Sequence, residues 1–85
     1  MRLDKWLKVS RLIKRRTVAK EVCDAGRITV NGRPAKAGCD IKPGDKLSIS
    51  FGGRVTQAQV LLVAESMRQE LCPTMYQIIE GREID

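Results

Sequence analysis

Residues 1–32 read MRLDKWLKVSRLIKRRTVAKEVCDAGRITVNG, and two helices and a hairpin can be read from them directly. Leu3, Trp6 and Leu7 recur at helical spacing, and so do Val18, Ala19, Val22 and Cys23. Each set forms the apolar stripe of one short helix. The first helix is expected over residues 3–9. Asp4 falls in its first turn, where its charge suits the macrodipole, and can pair with Lys8 four residues on. Ser10 to Arg16 is a basic connector or helix start, with Ser10 and Thr17 as the candidate caps of the second helix. That helix should run to about Ala25 and stop at Gly26, a residue suited to the left-handed conformation past a helix end. The period then changes from helical to alternating. Arg27-Ile28-Thr29-Val30 alternates and leads into Asn31-Gly32, the strongest short-range hairpin signal.

Outward from this stretch the chain reads as strands and tight turns. Asp40 to Asp45 is turn chemistry, with Pro43-Gly44 at the centre of a type II turn. Lys46 to Phe51 alternates, placing Leu47, Ile49 and Phe51 on one face. Gly52-Gly53 reverses the chain into a strand over 54–63, whose final Val60-Leu61-Leu62-Val63 run is expected to enter the core. Residues 64–73 form a loop or one helical turn closed by Pro73, and a last strand covers 75–79. The fold class is therefore α+β, with two N-terminal helices followed by four or five mostly antiparallel strands. The 85 residues are read as a single domain, 1–85. A domain of this size buries only about 60% of its unfolded surface, so its core is small.

Charge is segregated along the chain. Eight of the first twenty residues are Lys or Arg, opposed only by Asp4. Residues 1–54 hold 14 cations and 5 anions, a net +9. Residues 55–85 hold 2 and 5, a net −3, which recovers the overall +6. Such polarity points to a one-sided polyanionic partner, and the commonest is nucleic acid.

Several classes are disfavoured. No apolar run approaches the length of a membrane-spanning helix, and the basic N-terminus lacks the apolar segment of a secretory signal. Cys23, Cys39 and Cys72 are odd in number and lack Cys-x-x-Cys spacing. Without histidine, a zinc site would need three thiolates and an oxygen. Reduced thiols in a cytoplasmic protein are expected, with no metal and no cofactor. Catalysis has little to work with: there is no His, no phosphate-cradling glycine loop and no nucleophile with a base. Asp24, Asp40 and Asp45 sit in helix-end or turn contexts.

Arg2-Leu3-Asp4-Lys5-Trp6-Leu7, the basic link, Ala19-x-x-Val22-Cys23-x-x-Gly26, Ile28-x-Val30-Asn31-Gly32 and Lys42-Pro43-Gly44-Asp45 together resemble the S4 RNA-binding domain, over about residues 1–50. Asp4-Lys5-Trp6-Leu7 and the basic link are most similar to its stand-alone branch, which includes a fifteen-kilodalton heat-shock protein. Met75-Tyr76 and the absence of that protein's long basic tail resemble a shorter group serving bacterial ribosome-associated quality control. Many members of the wider family carry Ser-Arg four and three residues before the helical alanine. Here Arg15 and Arg16 stand there, so the arginine is kept and the cap-like serine is lost, with Thr17 as its candidate replacement.

The residues expected to bind RNA are Arg2, Lys5, Lys8, Arg11, Arg15, Arg16, Lys20, Arg27 and Lys36, led by Arg2 and Arg16. Arg2, Lys5 and Lys8 step along one helix flank, and Arg16 and Lys20 share another. Arginine forks suit phosphate, and structured RNA is read mainly through phosphate, 2′-OH and shape. Arg27 and Lys36 flank the Asn31-Gly32 turn and extend the face. Trp6 is a core residue in preference to a base-stacking one, and Tyr76 fills the core or a strand face. Asp4 is a helix-start anion, an orienter of nearby arginines, or both.

The resemblance implies a cytoplasmic monomer that binds large-subunit ribosomal RNA and peptidyl-tRNA. It would steady the tRNA while a quality-control elongation factor on the same subunit adds alanine to the stalled chain. Two alternatives stand beside it. One is a heat-shock-type factor recycling dissociated large subunits. The other is a basic adaptor for proteins or DNA.

Overall fold

The computed structural model describes residues 1–84. Two helices, α1 (Leu3–Ser10) and α2 (Arg16–Asp24), precede five strands: β1 (Ile28–Val30), β2 (Arg33–Pro34), β3 (Lys46–Phe51), β4 (Arg54–Val60) and β5 (Tyr76–Glu80). The strands form one antiparallel sheet in the order β2-β1-β3-β4-β5. The α+β architecture is thus the expected one, and all five strands belong to one sheet.

Local chemistry explains the turns. Val30 pairs with Arg33, and between them Asn31 (φ 52°) and Gly32 (φ 82°) both adopt left-handed backbone, the geometry of a two-residue hairpin. The Asn31 amide does more than turn the chain. Its Nδ2 donates to Asp45 Oδ1 at 3.1 Å, and its Oδ1 accepts from the Lys46 N–H at 3.0 Å. The other Asp45 oxygen accepts from the Lys42 N–H at 3.0 Å. Buried Asp45 is therefore hydrogen-bonded on both oxygens and welds the hairpin to the Lys42–Asp45 turn, where Gly44 takes φ 96°.

The core lies between one sheet face and the helical stripes. Ile28, Val30, Leu47, Ile49, Ala58 and Val60 meet Leu3, Trp6, Leu7, Ala19, Val22 and Cys23 in one cluster. Trp6 is fully buried, donates its indole N–H to the Leu62 carbonyl at 2.9 Å, and meets Tyr76 edge-on at 6.4 Å between centroids. Burial, aided by the charges of Asp4 and Asp24, pushes the Cys23 thiol up to about 11, so it stays protonated and fills space as a small hydrophobe. All three cysteines are free thiols.

Three expectations need correction. The basic connector is also core: Leu12 and Ile13 are fully buried. Helix α1 ends with Arg11 in left-handed backbone (φ 60°), and Ser10 Oγ accepts from the Leu12 N–H at 3.3 Å while donating to the Leu7 carbonyl at 3.4 Å. That turn drives Leu12 and Ile13 inward, where Ile13 bridges to Ile84.

The second correction concerns the Val60–Val63 run. Strand β4 stops at Val60, and Leu61 and Leu62 are 46% and 41% exposed. Both of their N–H groups converge on the Met75 carbonyl, at 2.8 and 3.2 Å, which turns the chain off the sheet. Met75 and Tyr76 take the core positions instead.

The third lies in residues 64–73. A 3₁₀ helix, Gln69–Met75, continues through Pro73 instead of closing there, and the last strand begins at Tyr76. Cys72 and Met75, three apart and hence on one side of a 3₁₀ turn, are both buried. The Cys72 thiol donates to the Val9 carbonyl at 3.2 Å, which ties this helix to α1. Among the described residues no helix is long and apolar enough to cross a membrane.

Candidate nucleic-acid interface

The start of α1 is built by a distant loop. The Leu3 N–H donates to the Cys39 carbonyl at 2.8 Å, the Asp4 N–H to Ala37 at 3.1 Å, and the Ile41 N–H to Met1 at 2.8 Å. Arg2 and Asp40 form an antiparallel bridge within this pairing. Two orphan donors of the helix start are thereby satisfied without a capping side chain, and the backbone carrying Arg2 is fixed. The same loop brings Lys36 to the helix entrance.

All nine cations expected to bind RNA are exposed, but they are not equivalent. Arg2 donates from Nε to Asp4 Oδ1 at 3.1 Å and from Nη2 to Oδ2 at 3.3 Å. Asp4 therefore pairs with Arg2 and not with Lys8, and its Oδ1 also accepts the Lys5 N–H at 2.9 Å. Lys5 is paired with Glu65, sixty residues away, and the ammonium donating to that carboxylate holds it below the usual range for glutamate. Lys8 and Arg11 line a groove of about 430 Å³ between α1 and the 65–72 segment, beside Val9 and Met67. Lys8, Arg11, Arg15, Arg16, Lys20, Arg27 and Lys36 have no ion pair among the described residues.

Arg27 and Lys36 lie on either side of the hairpin, before β1 and after β2. The Ala35 N–H donates to the Ile28 carbonyl at 3.0 Å, so the pairing runs past Pro34 toward the foot of the hairpin. Arg27 and Lys36 stand at that foot, next to the helices, and not beside the Asn31-Gly32 tip. Lys46 and the buried Asp45 are the charged residues bonded to the tip.

The expected caps of α2 also differ. Its N-cap is Arg15, which makes no side-chain cap bond. Thr17 is inside the helix, Ser10 belongs to α1, and no acid stands in the first turn. Two arginines at the positive end of a helix oppose its macrodipole. An anion docked at this end would offset that unfavourable charge. Arg15→Ser should therefore stabilise the fold by about 1 kcal/mol and raise the unfolding midpoint by roughly 4–8 °C. The same variant should bind RNA several-fold more weakly, read by thermal circular dichroism and filter binding. Unchanged stability would show that the missing cap costs nothing.

The sequence did not expose Glu65 as a partner for this surface, nor Gly38. An added Cβ on Gly38 would stand 3.9 Å from Arg2 Cζ and Nη2, so this loop flanks the guanidinium. Among the described residues no cluster of acidic residues and cysteines forms a metal site.

The S4 domain family model matches residues 1–47, the helices, the hairpin and the start of β3. A protein of Halalkalibacterium halodurans named RQC P-site tRNA stabilizing factor is 58% identical over 78 residues, covering 92% of this chain and 89% of that one. The protein of the same name from Bacillus subtilis is 51% identical over 84 residues, covering 99% and 98%. Among solved structures, the trimeric heat shock protein 15 of Vibrio cholerae superposes with a TM-score of 0.80 at 24% identity, covering 92% of this chain and 80% of that one; it shares the fold. The helical pair and hairpin that carry the exposed cations are the segment matched by the family model, and the curated relatives extend the likeness across the C-terminal strands. The chain belongs to the S4 RNA-binding domain family.

Proposed function

We propose that this chain binds the large ribosomal subunit through ribosomal RNA and P-site tRNA. There it stabilises peptidyl-tRNA after a stall, while an elongation factor of ribosome-associated quality control extends the nascent chain with alanine. The carrying observation is the set of exposed cations on α1, α2 and the hairpin foot that have no ion pair among the described residues, in a chain more than half identical to proteins named for stabilising P-site tRNA. The chemistry is electrostatic scaffolding. Rigid short elements hold arginine and lysine against two RNA backbones at once, with no reacting group, and the site of action is the translating cytoplasm. In this reading one copy suffices, the nine exposed cations form the RNA face, and the RNA-binding motif spans residues 1–50 of a single domain.

Co-sedimentation with ribosomes tests this, comparing the wild type with an Arg2→Ala/Arg16→Ala double variant at low and moderate salt. The wild type should travel with large subunits that carry peptidyl-tRNA. The double variant, with native circular dichroism, should lose about a hundredfold or more in affinity, since two charge-assisted contacts at roughly 1.5–3 kcal/mol each are removed. Migration with empty large subunits would favour the heat-shock-type recycling role. No association at any salt would remove the ribosome from the proposal.

A further inference from the structure

We infer that Asp4 is a positioning residue that fixes the Arg2 guanidinium so that its remaining fork meets one phosphate at a set angle, giving selectivity for folded RNA at the expense of bulk charge. This rests on the RNA-binding reading above. Arg2 spends Nε and one hydrogen of Nη2 on the two Asp4 oxygens. A guanidinium has five N–H donors, so Nη1 and the outer hydrogen of Nη2 remain, and these form the end-on fork that suits a phosphate. The Arg2 side chain is 64% exposed, so that fork is open to a ligand.

Each part of the support is itself held. The Asp4 carboxylate is anchored by the Lys5 N–H at 2.9 Å, and the Asp4 N–H by the Ala37 carbonyl at 3.1 Å. The backbone of Arg2 is bridged to Asp40, and Gly38 flanks the guanidinium at 3.9 Å from a would-be Cβ. Arg16 and Lys20, by contrast, have no carboxylate partner among the described residues. The pair Arg2–Asp4 is close to neutral, so it adds little to non-specific attraction, whereas the unpaired cations supply that attraction and its salt dependence. A neutral, oriented donor is useful only to a partner whose phosphate is held in a fixed place, as in folded RNA.

Charge and orientation predict opposite signs for Asp4→Asn. The change removes a negative charge, so attraction alone would tighten binding to every RNA. It also places an amide where Nη2 needs an acceptor, so the fork is no longer held. The test measures affinity for purified large subunits and for poly(U), on the wild type, Asp4→Asn and Arg2→Lys, with thermal unfolding as the fold control. Asp4→Asn should bind poly(U) as well as or better than wild type while its preference for large subunits falls about tenfold. Arg2→Lys keeps the charge without the fork, and should lose the same preference with poly(U) affinity unchanged. It also carries the test if Asp4→Asn is unstable. A preference retained in either stably folded variant, or one that rises in Asp4→Asn, overturns the inference. A wild type with no preference for large subunits over poly(U) fails at an earlier point: it removes the ribosomal reading and the positioning role with it, and is distinguished by the wild-type control alone.

Discussion

Trp6→Ala is expected to lower the thermal unfolding midpoint by about 15 °C or more, the largest effect of any single side chain on this fold. Removing a buried tryptophan costs roughly 3–5 kcal/mol, from lost transfer energy and the cavity left behind. A chain of 85 residues has in total about 4–13 kcal/mol to lose. Trp6 is also more than bulk. Its indole bonds the Leu62 carbonyl, and its ring meets Tyr76, so it joins α1 to the segment after β4 and to β5. Trp6→Phe should keep most of the apolar contact and lose the bond, with a fall of about 5–10 °C. Thermal circular dichroism distinguishes the two variants. Were Trp6 a base-stacking residue, Trp6→Ala would leave the midpoint unchanged and weaken RNA binding alone. Zero exposure argues against that outcome.

The elements legible in the sequence are those with local causes. Leu3, Trp6 and Leu7 are set by helical period, Asn31-Gly32 by the need for two left-handed residues, and Pro43-Gly44 by the type II turn. The illegible ones depend on distant partners. The hydropathy of Val60 to Val63 is that of a core strand, yet Met75, twelve or more residues on, captures the N–H groups of Leu61 and Leu62 and turns them outward. Leu12 and Ile13 are hidden in the sequence among cations. Their burial depends on a left-handed Arg11, an unusual backbone for a residue with a Cβ.

The site divides in the same way. That the cations would lie outside the apolar stripes follows from helical period, and all nine are exposed. Which of them already have carboxylate partners does not follow. Lys5 meets Glu65 because the 65–72 segment folds back on α1, while Arg2 meets Asp4 at a helix start whose backbone is bonded to the loop at 37–41. Sequence spacing offered Asp4 two kinds of partner, Lys8 as an i, i+4 pair and the nearby arginines, without choosing between them. Arg2 lies just before the helix in extended backbone and reaches the carboxylate from the N-terminal side.

The division between paired and unpaired cations sets the salt dependence of RNA binding, the second large effect expected. Of the nine cations assigned to the RNA face, Arg2 and Lys5 have carboxylate partners and the other seven have none among the described residues. If those seven meet phosphate, the slope of log affinity against log salt should be about −5 to −6, at roughly 0.7–0.9 per neutralised phosphate. Raising salt from 50 to 200 mM would then cost about a thousandfold in affinity. Glu65→Gln frees Lys5 without touching the core, since both side chains of that pair are exposed. It should steepen the slope by nearly one and tighten binding several-fold at low salt. Arg27→Ala should flatten the slope by the same step if the hairpin foot lies against the RNA. A titration series by filter binding reads all three. A wild-type slope shallower than about −2 would mean that most of these cations face solvent, and the basic surface would then serve solubility more than recognition.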